Sequence, residues 1–313
     1  MYVSAWLKCH EPAAFACGLL NSQPLGFYGP SQIVQDVRRH DVTVRPVDVL
    51  VSDWDCSLEE VAVADAIVNV ATPDRHLADP ALRLGLRLVK GLPREAGLRI
   101  AIARTQQPYT DLDDLVRRAQ LNRRDVSCLA AADALVNLVG HRRLALWQSI
   151  ALEPSTALLV KAKREEIQPS LFPLTEGETI VADYAHLGLT LQRHPLALLR
   201  SRLTRMKLMS SQDLKQAPNG KRIHTVGLVT CRQRPASASG VTFVTLEDED
   251  GNSNIVVWRD LAEQQRRPLL GAQLLGVEGI VERKGEVVHV VAKRLIDHTR
   301  WLAGLRVGSH DFR

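Results

Sequence analysis

The spacing of hydrophobic residues changes character near residue 221. Over residues 2–40 apolar positions recur at helical spacing, with Ile33, Val34 and Val37 on one face. Pro12 and Pro30 suit the first turns of two helices, where a missing N–H costs nothing. A turn-rich stretch, 21–30, lies between them. Val42, Val44, Val47, Val49 and Val51 read as extended chain, although Pro46 argues against a central strand. Residues 52–80 read as irregular, with a possible helix near 57–70. Short helices follow over 81–150, among them one opening at Thr110 to Asp113, one over 126–137, and one from His141 through Trp147. Residues 151–177 read as a linker with a short helix. Residues 178–215 return to helix, broken at His194 and Pro195.

From residue 222 the pattern is that of strands. Ile223 to Val229, Val241 to Leu246 and Asn254 to Trp258 read as three strands, separated by a polar loop (Gln233 to Gly240) and a hairpin turn (Asp248 to Asn252). A helix at Arg259 to Arg267 precedes two more strands, Gln273 to Arg283 and Glu286 to Lys293. Five strands with a helix between the third and fourth is the order of an OB-fold barrel. The fold expected is multidomain α+β, a helical region followed by a five-stranded OB-fold β-barrel.

The most specific local signal runs from Leu86 to Ile100 and follows the helix-hairpin-helix template. Such a hairpin must turn tightly, so that the second helix aims its free N–H groups at a phosphate. Gly91 permits the turn and Leu92 pins it into the core. Lys90, Gly91, Leu92 and Arg94 are therefore candidate duplex contacts. Two positions depart from the template: Pro93 stands in place of the second glycine, and Gly97 in place of the alanine that packs the helices. The alternative is an ordinary helical turn ending at a glycine cap. Asn122, Arg123 and Arg124 lie at a second, degenerate hairpin.

Charge supports this reading. Residues 1–80 hold 5 Lys/Arg against 11 Asp/Glu, whereas residues 81–150 hold 12 against 6. A basic stretch inside an otherwise balanced chain is a common footprint for phosphate backbones, or else a solvated helical surface. In the barrel, Arg232, Gln233 and Arg234 fall in the loop after the first strand, and Phe243 is placed either to stack a base or to pack in the core. Trp258 reads as core. The five cysteines have no CxxC spacing, so neither a zinc site nor a disulfide framework is expected, and a reducing cytoplasm fits. The histidines lack ligand spacing. No apolar run approaches a membrane span, and the first ten residues do not resemble a secretory signal. The run Asp248 to Asp250 reads as a turn, not a metal site.

Further stretches, in collinear order, resemble the bacterial C-family DNA polymerases. Ala5 to Lys8, Pro12 to Phe15 and Leu19 to Pro24 are similar to that family's fingers region. Gln23 to Tyr28, Asp36 to His40, Arg45 to Asp48 and Ser52 to Cys56 look like its error-prone branch, as does Leu84 to Leu92. Asp183 and Tyr184, Gly188 and Leu189, and His194 and Pro195 resemble the segment before the family's OB-fold. Gly227 to Val229, Arg232 to Pro235, Thr245 to Glu249 and Val288 to Ala292 resemble that OB-fold. Asp41, where the family has glycine, and residues 58–80 depart from the pattern.

The resemblance implies four regions: a fingers remnant (1–80), a helix-hairpin-helix region (81–150), a linker and helical segment (151–220), and an OB-fold with a C-terminal tail (221–313). It also implies DNA as partner, duplex and single-stranded template alike, and a bacterial cytoplasmic role in damage-induced synthesis alongside other accessory proteins. The family works by two-metal phosphoryl transfer. Its catalytic carboxylates belong to a palm that no stretch here matches, so Mg²⁺ is expected for the full-length enzyme, while this chain alone is expected to be inactive and without a cofactor. Gln168, Leu171 and Phe172 have the spacing of the family's sliding-clamp peptide, or else form an ordinary docked linker. A stand-alone nucleic-acid-binding accessory derived from such a polymerase is the alternative for the whole chain. A nuclease or helicase subunit is more remote, since no motor or nuclease motif is found.

Overall fold

Pro12 and Pro30 do open helices. The computed structural model of the chain describes residues 2–25, 28–60, 80–151, 171–235, 240–302 and 310–312. It divides into two units, residues 1–191 and 192–313. The first unit begins with α1 (Tyr2–His10), α2 (Pro12–Asn21) and α3 (Pro30–Arg39), the last two with proline in the first turn. Three short strands follow: β1 (Val44–Arg45), β2 (Ser57–Glu59) and β3 (Ala81–Arg83). β3 is central, parallel to β1 and antiparallel to β2.

The valine run thus yields only two strand residues. Pro46 stops the ladder, and Asp48 turns the chain by accepting the Leu50 N–H at 2.9 Å. Ser52 accepts the Asp48 N–H at 3.0 Å and donates to the Leu84 carbonyl at 2.8 Å. Where a helix was expected near 57–70, residues 57–59 are strand instead. Glu59 there pairs with Arg83 at 2.7 Å. The rest of that expected helix lies outside the described residues.

A 3-10 turn at Leu86–Leu88 leads to α4 (Arg94–Gln106), α5 (Leu112–Arg118), α6 (Arg123–Ala131), α7 (Val136–Val139), α8 (Arg142–Ala151) and α9 (Glu176–His186). The helix expected over 126–137 ends at Ala131, because Asp133 takes a left-handed φ of 61° and turns the chain. A single apolar core joins Leu20, Val34, Leu82, Leu86, Ile100, Leu115 and Leu129. The strands before residue 84 and the hairpin helices after it therefore depend on one another.

The second unit starts with α10 (Pro195–Arg205) and α11 (Ser211–Gln216). The break expected at His194 is a cap: its Nδ1 accepts the Leu196 N–H at 3.2 Å. The barrel strands are β4 (Arg222–Gln233), β5 (Thr242–Glu247), β6 (Asn252–Val257), β7 (Leu274–Lys284) and β8 (Val287–Asp297), in the order β5-β6-β8-β7-β4. β4 also pairs with β5 and closes the barrel, and β6 runs parallel to β8. This is the OB topology. Val229, Val244, Leu246, Ile255, Val281 and Val290 fill its interior. The expected single helix between the third and fourth strands is two, α12 (Arg259–Gln264) and α13 (Arg266–Gly271). A 3-10 turn at Thr299–Leu302 and β9 (His310–Phe312), parallel to β4, complete the unit.

Gly97, the template departure, has a packing reason. A Cβ there would lie 2.4 Å from Cε3 of Trp54, so the glycine makes room for the indole under α4. Gly97→Ala is predicted to destabilise the first unit by about 1–3 kcal/mol through overpacking. Chemical denaturation checks this, and an unchanged midpoint would refute the packing role.

Candidate nucleic-acid interface

The hairpin tip is built from Val89 to Arg94. Gly91 takes φ +85°, which a side chain would strain, and a Cβ there would lie 3.2 Å from the Cys128 sulfur. Leu92 is buried in the core as expected. Pro93 is the N-cap of α4 and supplies no side-chain cap. Among the described residues, the N–H groups of Arg94 and Glu95 donate to no protein acceptor. They lie at the positive end of a 13-residue helix, where an anion is favoured. The Arg94 side chain is exposed beside them.

Lys90 is placed differently from the expectation. Its ammonium donates to the carbonyls of Tyr184 at 2.9 Å and Ala185 at 3.0 Å, in the last turn of α9. Burial of the amine lowers its pKa.

The second hairpin joins α5 to α6. Gln120 takes a left-handed φ of 50° and Leu121 is buried, the same turn-then-anchor arrangement as Gly91 and Leu92. Asn122 caps α6: its side chain accepts the Asp125 N–H at 3.0 Å, and the Asp125 carboxylate accepts the Asn122 N–H at 3.2 Å. Asn122 is thus occupied in capping, while Arg123 and Arg124 point into solvent. Arg99 of α4 donates to the Ala119 carbonyl at 2.8 Å and the Gln120 carbonyl at 3.2 Å, holding one hairpin against the other.

Much of the basic count of residues 81–150 is internal. Arg87 donates to the Asn21 and Gln23 carbonyls, Arg104 to those of Val49 and Ser52, and Arg118 to those of Ala103, Gln107 and Pro108. Arg142 is buried against Asp183. The cations left at the hairpin tips are Arg94, Arg123 and Arg124.

In the barrel, Arg232 lies on β4 instead of in the loop after it. It is 5% exposed and donates to the carbonyls of Leu269, at 2.7 Å, and Ala272, at the end of α13. A buried guanidinium in that role holds the helix to the barrel and does not reach a ligand. Gln233 and Arg234 are exposed at the strand end. Phe243 is 39% exposed, on the outer face of β5 opposite Val256. Trp258, expected in the core, is 57% exposed. Ile255 and Val257 point inward, so Val256 and Trp258 fall on the outer face with Phe243. The signal was available in the sequence, since alternation from Ile255 puts Trp258 outside.

The acidic turn is structural. Asp248 is buried and accepts the Ser211 N–H and hydroxyl, each at 2.6 Å, and the Asp250 and Gly251 N–H groups at 3.0 Å. Glu249 pairs with Arg200. Among the described residues no group of three or more His, Cys, Asp or Glu could hold a metal, and no helix is long and apolar enough to cross a membrane. Gln168 lies outside the described residues. Leu171 is half-buried, whereas Phe172 is 80% exposed, its carbonyl accepting from Arg143 at 3.2 Å.

The hairpin pair and the closed barrel are nucleic-acid-binding folds, and family models agree. The helix-hairpin-helix motif model matches residues 41–145, and that of the OB-fold nucleic acid binding domain matches 222–297. The first match takes in the β1–β3 strands, which share the hairpins' core. The chain is 53% identical over 312 residues to the error-prone DNA polymerase of Alkalilimnicola ehrlichii, 50% over 317 to that of Methylococcus capsulatus, and 50% over 313 to that of Aromatoleum aromaticum. Each match takes in 100% of this chain and 29%, 30% and 28% of the relative respectively. Along its whole length the chain is similar to error-prone DNA polymerases, and it spans less than a third of the length of these relatives. The asparaginyl-tRNA synthetase structure from Pyrococcus horikoshii covers 29% of the chain at 22% identity with a TM-score of 0.25, too slight a likeness to carry an argument.

Phe243→Ala and Trp258→Ala are each predicted to weaken single-strand binding by about 1–3 kcal/mol, the range for loss of a base-stacking surface. Titration of a fluorescent oligonucleotide measures this. Unaltered affinity in both variants would remove the outer face from the ligand path.

Proposed function

We propose that this chain is the DNA-holding C-terminal portion of an error-prone DNA-directed DNA polymerase acting in damage-induced, translesion synthesis in the bacterial cytoplasm. The hairpins grip duplex backbone and the barrel handles single-stranded template. The observation that carries the reading is the pairing of two hairpin tips on one core, each with a solvent-facing arginine at a helix start. Phosphate contacts of this kind hold a duplex without reading its sequence, as a polymerase requires. Nucleotidyl transfer, with its Mg²⁺, belongs in this reading to a palm domain that the chain does not supply, so the chain alone extends no primer.

Affinity for blunt duplex is predicted to be independent of sequence and to fall steeply between about 50 and about 200 mM salt. Replacing Arg94, Arg123 and Arg124 with Ala should lower the salt slope by ~0.9 for each phosphate no longer neutralised. A flat salt response, or a slope unchanged in the triple variant, would contradict duplex holding by the hairpins.

We further propose that Gln168, Leu171 and Phe172 dock a sliding clamp. Support comes from the Gln-x-x-Leu-Phe spacing and from the exposure of Phe172, which an ordinary docked linker would bury. Adjacent apolar anchors entering a preformed pocket would carry most of such affinity. Leu171→Ala with Phe172→Ala is expected to abolish clamp binding in a pull-down with purified clamp and to leave duplex affinity intact. Retained clamp binding, or a large loss of thermal stability instead, would show that the segment is structural.

A further inference from the structure

We propose that Lys90 is a positioning residue that locks the first hairpin onto the C-terminal end of α9 and so sets the angle at which the free N–H groups of α4 meet a phosphate. The inference rests on the DNA-holding reading above and assigns Lys90 a role distinct from that of Arg94.

Three contacts make the lock. The Lys90 ammonium donates to the carbonyls of Tyr184 at 2.9 Å and Ala185 at 3.0 Å, and the Lys90 N–H donates to the His186 carbonyl at 2.9 Å. These are acceptors that the end of a helix leaves without an intrahelical partner, and a cation is favoured there by the helix dipole. The next turn packs against the lysine. Gly188 takes φ +80°, and a Cβ there would lie 3.5 Å from Lys90 Cε.

The other side of the lock is rigid. Arg142 of α8 is buried, donates to the Thr179 carbonyl at 3.1 Å and pairs with Asp183. Asp183 in turn accepts the Thr190 hydroxyl at 2.6 Å. α9 is therefore held from α8 and from its own exit turn. On the hairpin side, Lys90 is followed directly by Gly91, whose positive φ turns the chain toward Leu92 and α4. Lys90 thus fixes where that turn starts relative to α9, and a small misplacement of a binding group is costly. For Lys90 to reach a phosphate itself, it would have to give up both of these hydrogen bonds.

The test compares Lys90→Met, Lys90→Arg and Arg94→Ala in the full chain, using anisotropy of a labelled blunt duplex over a salt series, with thermal melts alongside. Lys90→Met should weaken duplex binding about tenfold at every salt concentration with the slope unchanged, because the contacts are strained while their number is kept. Lys90→Arg, which can still donate to both carbonyls, should restore most of the affinity. Arg94→Ala should lower the slope by ~0.9. A slope lowered equally by Lys90→Met would make Lys90 a phosphate ligand and overturn the proposal. So would a lower melting temperature with unchanged affinity of the folded protein, which would leave the lock purely structural. Salt-insensitive binding by the wild type and by Arg94→Ala would overturn the DNA-holding reading and the role of Lys90 with it.

Discussion

Every helix end leaves backbone carbonyls without an intrahelical partner, and a protein of short helices has many such ends. In this molecule cationic side chains satisfy a large share of them. Arg87 serves the end of α2, Arg118 that of α4, Arg99 that of α5 and Lys90 that of α9. In the second unit Arg283 serves α11 and Arg232 serves α13. The dipole makes each helix C-terminus electronegative, so a guanidinium there answers both the unpaired oxygens and the field. Because each cation comes from a different element than the end it caps, the same contacts hold the elements together.

That constraint also shapes the surface offered to DNA. The positive charge of residues 81–150 is largely turned inward, leaving a few arginines at the starts of helices. Those are the positions where an exposed cation and free N–H groups lie side by side. The field is local and concentrated at the hairpin tips. Arg99, bridging α4 to the turn before α6, keeps the two tips in a fixed relation.

The barrel solves a different problem. Closure of β4 on β5 leaves neither strand with an unpaired edge along the seam. The buried Asp248 then binds the β5–β6 turn to α11 through Ser211. With Asp248 so occupied and Glu249 paired with Arg200, the acidic turn is an anchor, and the outer face of β5 and β6 is left to Phe243, Val256 and Trp258.

The order of elements was legible in the chain because period and turn chemistry are local: prolines at helix starts, the Gly91 turn, and five strands interrupted once. The likeness to error-prone polymerases was legible too, from short motifs in collinear order. The roles of individual cations were not. Arg232 and Arg234 look alike two residues apart, yet the end of α13 buries the first on β4, while the second lies past the strand end in solvent. Lys90 and Arg94 flank one turn, and only the arrival of α9, distant in sequence, separates a cation bound to helix carbonyls from one left in solvent. Helix 57–70 failed at residues 57–59 because Arg83, brought alongside by β3, draws Glu59 into a strand pair. The sequence determines which groups carry charge and where the chain must turn. The tertiary structure decides which carbonyls are left unpaired and which charges are near enough to serve them.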